Sequence, residues 1–188
     1  MKYLYLLLLF GFSTLAQVPE EKRHIEILNT SSLKIKGKTN VNVFECDFNS
    51  RLLNRSGFIS LRNIENGIRF QDAVLQIPNS GFDCGNKGIN KDFQTLLKSE
   101  NHPQIEIKLL YKEQVNDRLA MVKVQLSIAG KSKIYQFPLE VDPSCQKKYS
   151  GKWQLRISDF DLEAPKKLFG MIVIKEEIEI DFHLHVKA

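Results

Sequence analysis

The chain has 188 residues, 26% of them charged and 43% hydrophobic, with a formal net charge of +5. That length accommodates one domain with a substantial core, and the composition is globular, not disordered or fibrous. The basic residues are scattered, with short pairs such as Lys147-Lys148 and Lys166-Lys167, whereas a nucleic-acid surface needs a basic stripe with exposed aromatics.

The N-terminal stretch "MKYLYLLLLFGFSTLAQ" has one early lysine, then an apolar run from Tyr3 to Phe12. Small residues Thr14 and Ala16 stand three and one positions before Gln17. This predicts a signal peptide of residues 1–16 cleaved before Gln17, leaving residues 17–188 as a single domain in the periplasm or outside the cell. The apolar run is short for a membrane span, and no later run is long enough for a transmembrane helix. No cysteine sits at the cut, which speaks against a lipid anchor.

Alternation begins at Leu33-Ile35 and returns at Val41-Val43, Ile59-Leu61, Ile68-Phe70 and Val74-Ile77. The segment "NKDFQTLLKSENHP" breaks it, because Phe93, Leu96 and Leu97 fall at helical spacing. Asn90 suits the N-cap, Asp92 the positive end, and Pro103 blocks continuation. Period two then resumes in Ile105, Ile107 and Leu109, in Ala120 to Ile128, in Tyr135 to Val141, and in Leu155 and Ile157. It closes with "EEIEIDFHLHV", where Ile178, Ile180, Phe182, Leu184 and Val186 occupy every second position. Turn signals such as "NRSG", "PNSG", "AGKS" and "KYSG" separate the rows. Short half-buried strands with frequent turns predict an all-β antiparallel sandwich or barrel carrying one short amphipathic helix.

Three cysteines, Cys46, Cys84 and Cys145, leave three pairings open in an oxidising compartment. Cys46 with Cys84 is favoured, because "SGFDCGN" is turn-rich and can approach a strand end near Cys46; Cys145 is then the free thiol. His183 and His185 share a strand face with Glu179 and Asp181, and two imidazoles at that spacing need a third ligand to hold zinc. A polar outward face is the simpler reading, so no metal is expected. There is no nucleophile elbow, no HExxH and no glycine-rich phosphate loop. No catalytic residue and no cofactor are assigned.

Three stretches, taken together, resemble the YceI-like family of exported polyisoprenoid-binding proteins. They are "NKDFQTLLKSENHPQIEIKL", "VQLSIAGKSKIYQFPLEV" and "GKWQLRISDFDLEAPKKLFGMIVIKEEIEIDFHLHV". Ser158-Asp159-Phe160, Gly170 and the closing alternation are the distinctive marks, and the resemblance extends over residues 24–187. Family members often carry arginine directly before Ser-Asp-Phe and glycine after it; here Ile157 separates Arg156 from the motif and Asp161 follows it.

The resemblance implies a lipocalin-like antiparallel β-barrel of about eight strands whose interior holds a long isoprenoid chain or another amphiphilic lipid. Periodicity alone fits a filled core equally well. With a cavity, the lining expected from the strands is Ile105, Ile107, Val122, Val124, Leu126, Phe137, Leu139, Leu155, Ile157, Ile178, Ile180 and Phe182. Phe93 and Leu97 of the helix would cover one end. The expected function is lipid carriage, sequestration or envelope maintenance. A hydrolase with a loop-borne site and a small outer-membrane barrel are the alternatives; the latter needs aromatic girdles, and Trp153 is the single tryptophan. No nucleic-acid partner is expected, and the oligomeric state is left open, a homodimer among the options.

Overall fold

The computed structural model describes residues 19–53, 56–144, 147–163 and 173–187. The expected signal peptide, Cys145 and Gly170 lie outside the described residues. In chain order the strands are β1 (Glu21–Ile27), β2 (Ser32–Thr39), β3 (Val43–Phe48), β4 (Ser56–Ile64), β5 (Gly67–Phe70), β6 (Val74–Pro78) and β7 (Phe82–Asp83). Helix α1 (Lys87–Leu96) follows, then β8 (Gln104–Asn116), β9 (Leu119–Ile128), β10 (Lys131–Val141), β11 (Lys148–Arg156) and β12 (Ile174–Lys187).

Every pairing among the described strands is antiparallel, and eight strands close a ring: β1, β4, β5, β8, β9, β10, β11 and β12, with Ile27 of β1 opposite Val186 of β12. The fold is an all-β, lipocalin-like barrel. Its rows are those that the alternation marks. Along β9, Ala120, Val122, Val124, Leu126 and Ile128 are buried while Lys123 is exposed. Ala129 and Gly130 make the two-residue turn into β10, both with positive φ (49° and 81°). That is the backbone a tight hairpin with right-handed strand twist requires.

The two ends of the barrel are closed differently. Strand β12 pairs with β2 from Ile174 to His183 and with β1 only at Val186 and Lys187. Strand β8 pairs with β6 from Gln104 to Lys108 and with β5 at Tyr111 and Lys112. One end is therefore walled by β1, β4 and β5, and the other by β2, β3, β7 and β6. At the second end β6 and β7 form one kinked segment. Its first part pairs with β8 and its last two residues with β3, and a 3₁₀ turn at Asn79–Gly81 hands the chain across. Helix α1 sits at this end.

Four local expectations need correction. The helix starts at Lys87 with Asn86 as its cap, the Asn86 side chain accepting from the Gly88 N–H at 2.7 Å. Asn90 is inside the helix, where its Oδ1 accepts from the Cys84 N–H and its amide donates to Asp83. Two asparagines four residues apart offer the same capping chemistry, and the turn chemistry before the helix selects the first. The helix also ends before Pro103, because Lys98 adopts a left-handed conformation (φ 52°). Ile157 belongs to a 3₁₀ turn, not to β11, and Val41 lies in the exposed turn before β3.

Candidate functional site

Beneath α1 the barrel holds a cavity of about 70 Å³ with a wholly apolar lining. Phe93 and Leu96 of α1, with Leu97 at its C-cap, form its roof. Leu33 and Ile35 of β2, Phe44 of β3, Ile77 of β6 and Phe82 of β7 make one wall. Ile105 and Ile107 of β8, Leu126 and Ile128 of β9, Leu155 of β11 and Ile174, Ile178 and Ile180 of β12 make the rest, with Ile157, Phe160 and Leu162 beside the roof. The floor is Trp153, whose ring stacks flat on Phe137 at 4.3 Å between centroids and 2° between planes. Phe182 meets both rings edge-on, at 5.6 Å from Trp153 and 6.3 Å from Phe137. Gly151 makes room for this layer: a Cβ there would stand 2.7 Å from Phe182 Cε1.

The expected lining thus divides. Phe93, Leu97, Ile105, Ile107, Leu126, Leu155, Ile157, Ile178 and Ile180 border the cavity. Val122, Val124, Phe137, Leu139 and Phe182 do not; they pack with Ala120 and Val141 in a second hydrophobic cluster. The physical reason is side-chain size. Three aromatic rings from β10, β11 and β12 span the cross-section, and alternation records which face a residue takes but not whether that level is full. Leu33, Ile35, Phe44, Ile77, Phe82, Trp153 and Phe160 were absent from the expected lining. For Leu33, Ile35 and Ile77 the alternating rows were the available signal; for Phe160 it was the Ser-Asp-Phe motif.

That motif forms the 3₁₀ turn Ile157–Phe160. Phe160 is fully buried and points its bulk at the cavity, its ring 6.2 Å from that of Tyr135. Asp159 accepts a 2.8 Å hydrogen bond from the Tyr135 hydroxyl and forms an ion pair with Lys133. The Lys133 ammonium, and secondarily the phenol, hold the Asp159 carboxyl below the usual range. Burial, with Asp159 beside it, pushes the Tyr135 phenol up. Asp161 follows with φ 52°, a left-handed conformation that aspartate tolerates better than most residues. Glycine at that position meets the same backbone demand. The Asp161 carboxylate pairs with Lys131 at 2.7 Å, and its carbonyl accepts from Lys98 at the end of α1. The motif thus ties the roof to the β9–β10 hairpin.

A disulfide joins Cys46 of β3 to Cys84, just beyond β7, at the same end. The histidine pair lies away from the cavity. His183 is exposed and 4.0 Å from Asp181, while His185 Nδ1 is 2.6 Å from the Thr30 hydroxyl. Glu179 and Asp181 share Lys36 on this outer face, with Lys152 also on Asp181. Among the described residues no cluster of three or more histidine, cysteine, aspartate or glutamate side chains is placed to hold a metal. No helix there is long and apolar enough to cross a membrane.

A family model for the YceI-like domain matches residues 54–186, most of the barrel with its cavity. The chain belongs to the YceI-like family. Among solved structures, this YceI-like chain is similar to Burkholderia cenocepacia BcnA, with a TM-score of 0.63 and 18% identity over 84% of this chain and 96% of that one. It is also similar to a polyisoprenoid-binding domain from Saccharophagus degradans implicated in plant cell wall breakdown. There the TM-score is 0.61 and the identity 14%, over 87% of this chain and 98% of that one. At these identities the likeness is one of fold. No curated protein matches the sequence.

Proposed function

We propose that this YceI-like protein is an exported lipid-binding protein that takes an isoprenoid-like chain into the barrel beneath α1. The observation that carries the reading is the cavity itself: every side chain lining it is apolar, and it lies at the end roofed by a short helix. The Saccharophagus domain, described as polyisoprenoid-binding, has the same fold. Family membership supports a binding role over catalysis.

The cavity's 70 Å³ is well below the roughly 300–1,000 Å³ of a pocket holding a drug-sized ligand. A long chain must therefore push the lining apart. Leu33, Phe44, Leu96, Ile107 and Ile174 border the cavity while keeping partial exposure, so the yielding side is theirs. Burying each methylene contributes about 0.8 kcal/mol, so a five-carbon isoprene unit contributes on the order of 3–4 kcal/mol towards that expansion.

Export rests on the signal-peptide pattern, and the Cys46–Cys84 bridge suits an oxidising compartment. Mass spectrometry of protein recovered from the cell envelope, under native conditions and after denaturation, tests both parts. The expected result is a polypeptide beginning at Gln17 that releases a long-chain lipid. An intact Met1 refutes export. Protein that carries no lipid and takes up no long-chain probe refutes the binding role.

A further inference from the structure

We propose a second binding site, at the end of the barrel walled by β1, β4 and β5, where the Lys112 ammonium takes the anionic head of a single-chain amphiphile. Lys112 faces into the barrel. It stands opposite Ile68 of β5 on one side and the buried Val122 of β9 on the other. Its Nζ lies 5.2 Å over the ring of Tyr149. Tyr149 belongs to β11, and β9 and β10 come between β8 and β11 in the sheet, so this contact runs through the interior. Neither Lys112 nor Tyr149 borders the cavity beneath α1.

All 22 aspartates and glutamates of the chain are among the described residues, and none pairs with Lys112. Glu113 follows it in sequence but stands opposite Met121, on the outer face. Gln114, the next inward position, gives its amide to the carbonyls of Asn116 and Leu119. Lys112 is half-buried, and that burial pushes its ammonium down. A cation drawn out of water without a counter-charge is costly, and the face of a tyrosine ring offsets only part of that cost. An anionic oxygen supplies both the missing charge and an acceptor for the ammonium. Access is open: unlike the Trp153 Nε1, the Lys112 ammonium is not sealed from solvent.

The neighbouring side chains say what the anion is attached to. Leu184 and Val186 continue the inward row of β12, and Ile27 of β1 stands opposite Val186. With Ile68 they face the interior yet keep partial exposure, so this end has an apolar lip without a cover. A free anion would leave that lip in water. A carboxylate or phosphate-monoester head carrying an alkyl chain satisfies the ammonium and covers the lip.

The mature protein, stripped of lipid, is titrated by calorimetry with decanoate, decanol, acetate and inorganic phosphate, while NMR follows the lysine side-chain resonances. Decanoate should bind at least about tenfold more tightly than decanol, the ratio that one charge-assisted hydrogen bond supplies, and should move the Lys112 Cε resonance. Acetate and phosphate should bind at least about a hundredfold more weakly than decanoate, because they leave the lip uncovered. Lys112→Met keeps the length of the side chain and removes its charge, so decanoate affinity should fall to that of decanol. Lys112→Arg should hold decanoate affinity within about threefold of wild type. Should Lys112→Met fail to fold, the wild-type Lys112 resonance decides alone. Decanoate that fails to bind, binds no better than decanol or leaves the Lys112 resonance unmoved overturns the inference. So does phosphate that binds as tightly as decanoate, which would make Lys112 a site for free anions. None of these outcomes bears on the cavity beneath α1.

Discussion

Phenylalanine placed at two neighbouring inward positions of β9 distinguishes the empty part of the barrel from the filled part. Leu126 borders the cavity, opposite Ile107 of β8. Val124, one inward position away, packs in the second cluster and stands opposite Leu109 and Tyr135. A void costs about 24 cal/mol per Å³, so 70 Å³ of cavity withholds about 1.7 kcal/mol. Leu126→Phe puts its ring into that void and recovers part of the sum, leaving stability unchanged or raised by up to about 1 kcal/mol. Val124→Phe has no void to enter and should cost about 1–3 kcal/mol by overpacking. With m near 2 kcal/mol/M, the urea midpoint should fall by roughly 0.5–1.5 M for Val124→Phe and hold or rise slightly for Leu126→Phe. Uptake of a long-chain probe should show the opposite order, lost in Leu126→Phe and retained in folded Val124→Phe. The reasoning is refuted if Leu126→Phe is the more destabilising change, or if Val124→Phe blocks uptake without loss of stability.

Replacing both Cys46 and Cys84 by serine opens a 38-residue separation, and loop entropy puts the loss at about 3.9 kcal/mol, measurable by urea unfolding; a loss below about 1 kcal/mol would mean that the bridge does not constrain the unfolded chain. Because Lys133 and Tyr135 lower the Asp159 carboxyl, its contribution is fully present above the unfolded value and lost as pH falls through the folded one. Unfolding titrations between pH 7 and pH 2 should therefore show Asp159→Asn less stable than wild type at neutrality, with a flatter decline below about pH 4. Gly151→Ala drives a methyl group to 2.7 Å from Phe182 and should cost about 1–3 kcal/mol, detected as a lower thermal midpoint; an unchanged midpoint would show that the aromatic floor yields.

Much of the fold is legible in the sequence because strand alternation and helical spacing are local. The rows of β8, β9, β10 and β12 each need only their own segment, and Phe93, Leu96 and Leu97 declare α1 without help from neighbours. What the sequence hides depends on contacts between segments. The stack of Phe137 on Trp153 joins β10 to β11, and Phe182 comes from β12; no window along the chain contains all three. Hence the expected lining includes Val122 and Leu139, which do not border this cavity, and omits Phe44 and Phe82, which do. The register shift in β8 between Leu109 and Tyr111 is a middle case. It carries Lys112 round to stand opposite Val122, half-buried, its Nζ 5.2 Å over the Tyr149 ring. Consecutive Leu109 and Leu110 break the alternation there, but the break reads as a bulge only beside the unbroken row of β9.

The kinked segment from β6 to β7 gives the barrel two different relaxation behaviours. Around β1, β4 and β5 the strands pair well with one another but meet the rest of the ring at two register pairs on each side, and opening that wall breaks the ring itself. Around α1 the kinked segment gives each neighbour only part of a ladder, two residues of it to β3. Local opening there leaves the ring whole, the pattern of a low-energy cooperative unit beside a high-energy one. Amides of β7 and α1 should accordingly exchange with solvent far faster than those of β9 and β10. On the proposed lipid-binding reading, a chain would enter and leave at the pace of the weakest unit, while the lifetime against unfolding is set by the strongest.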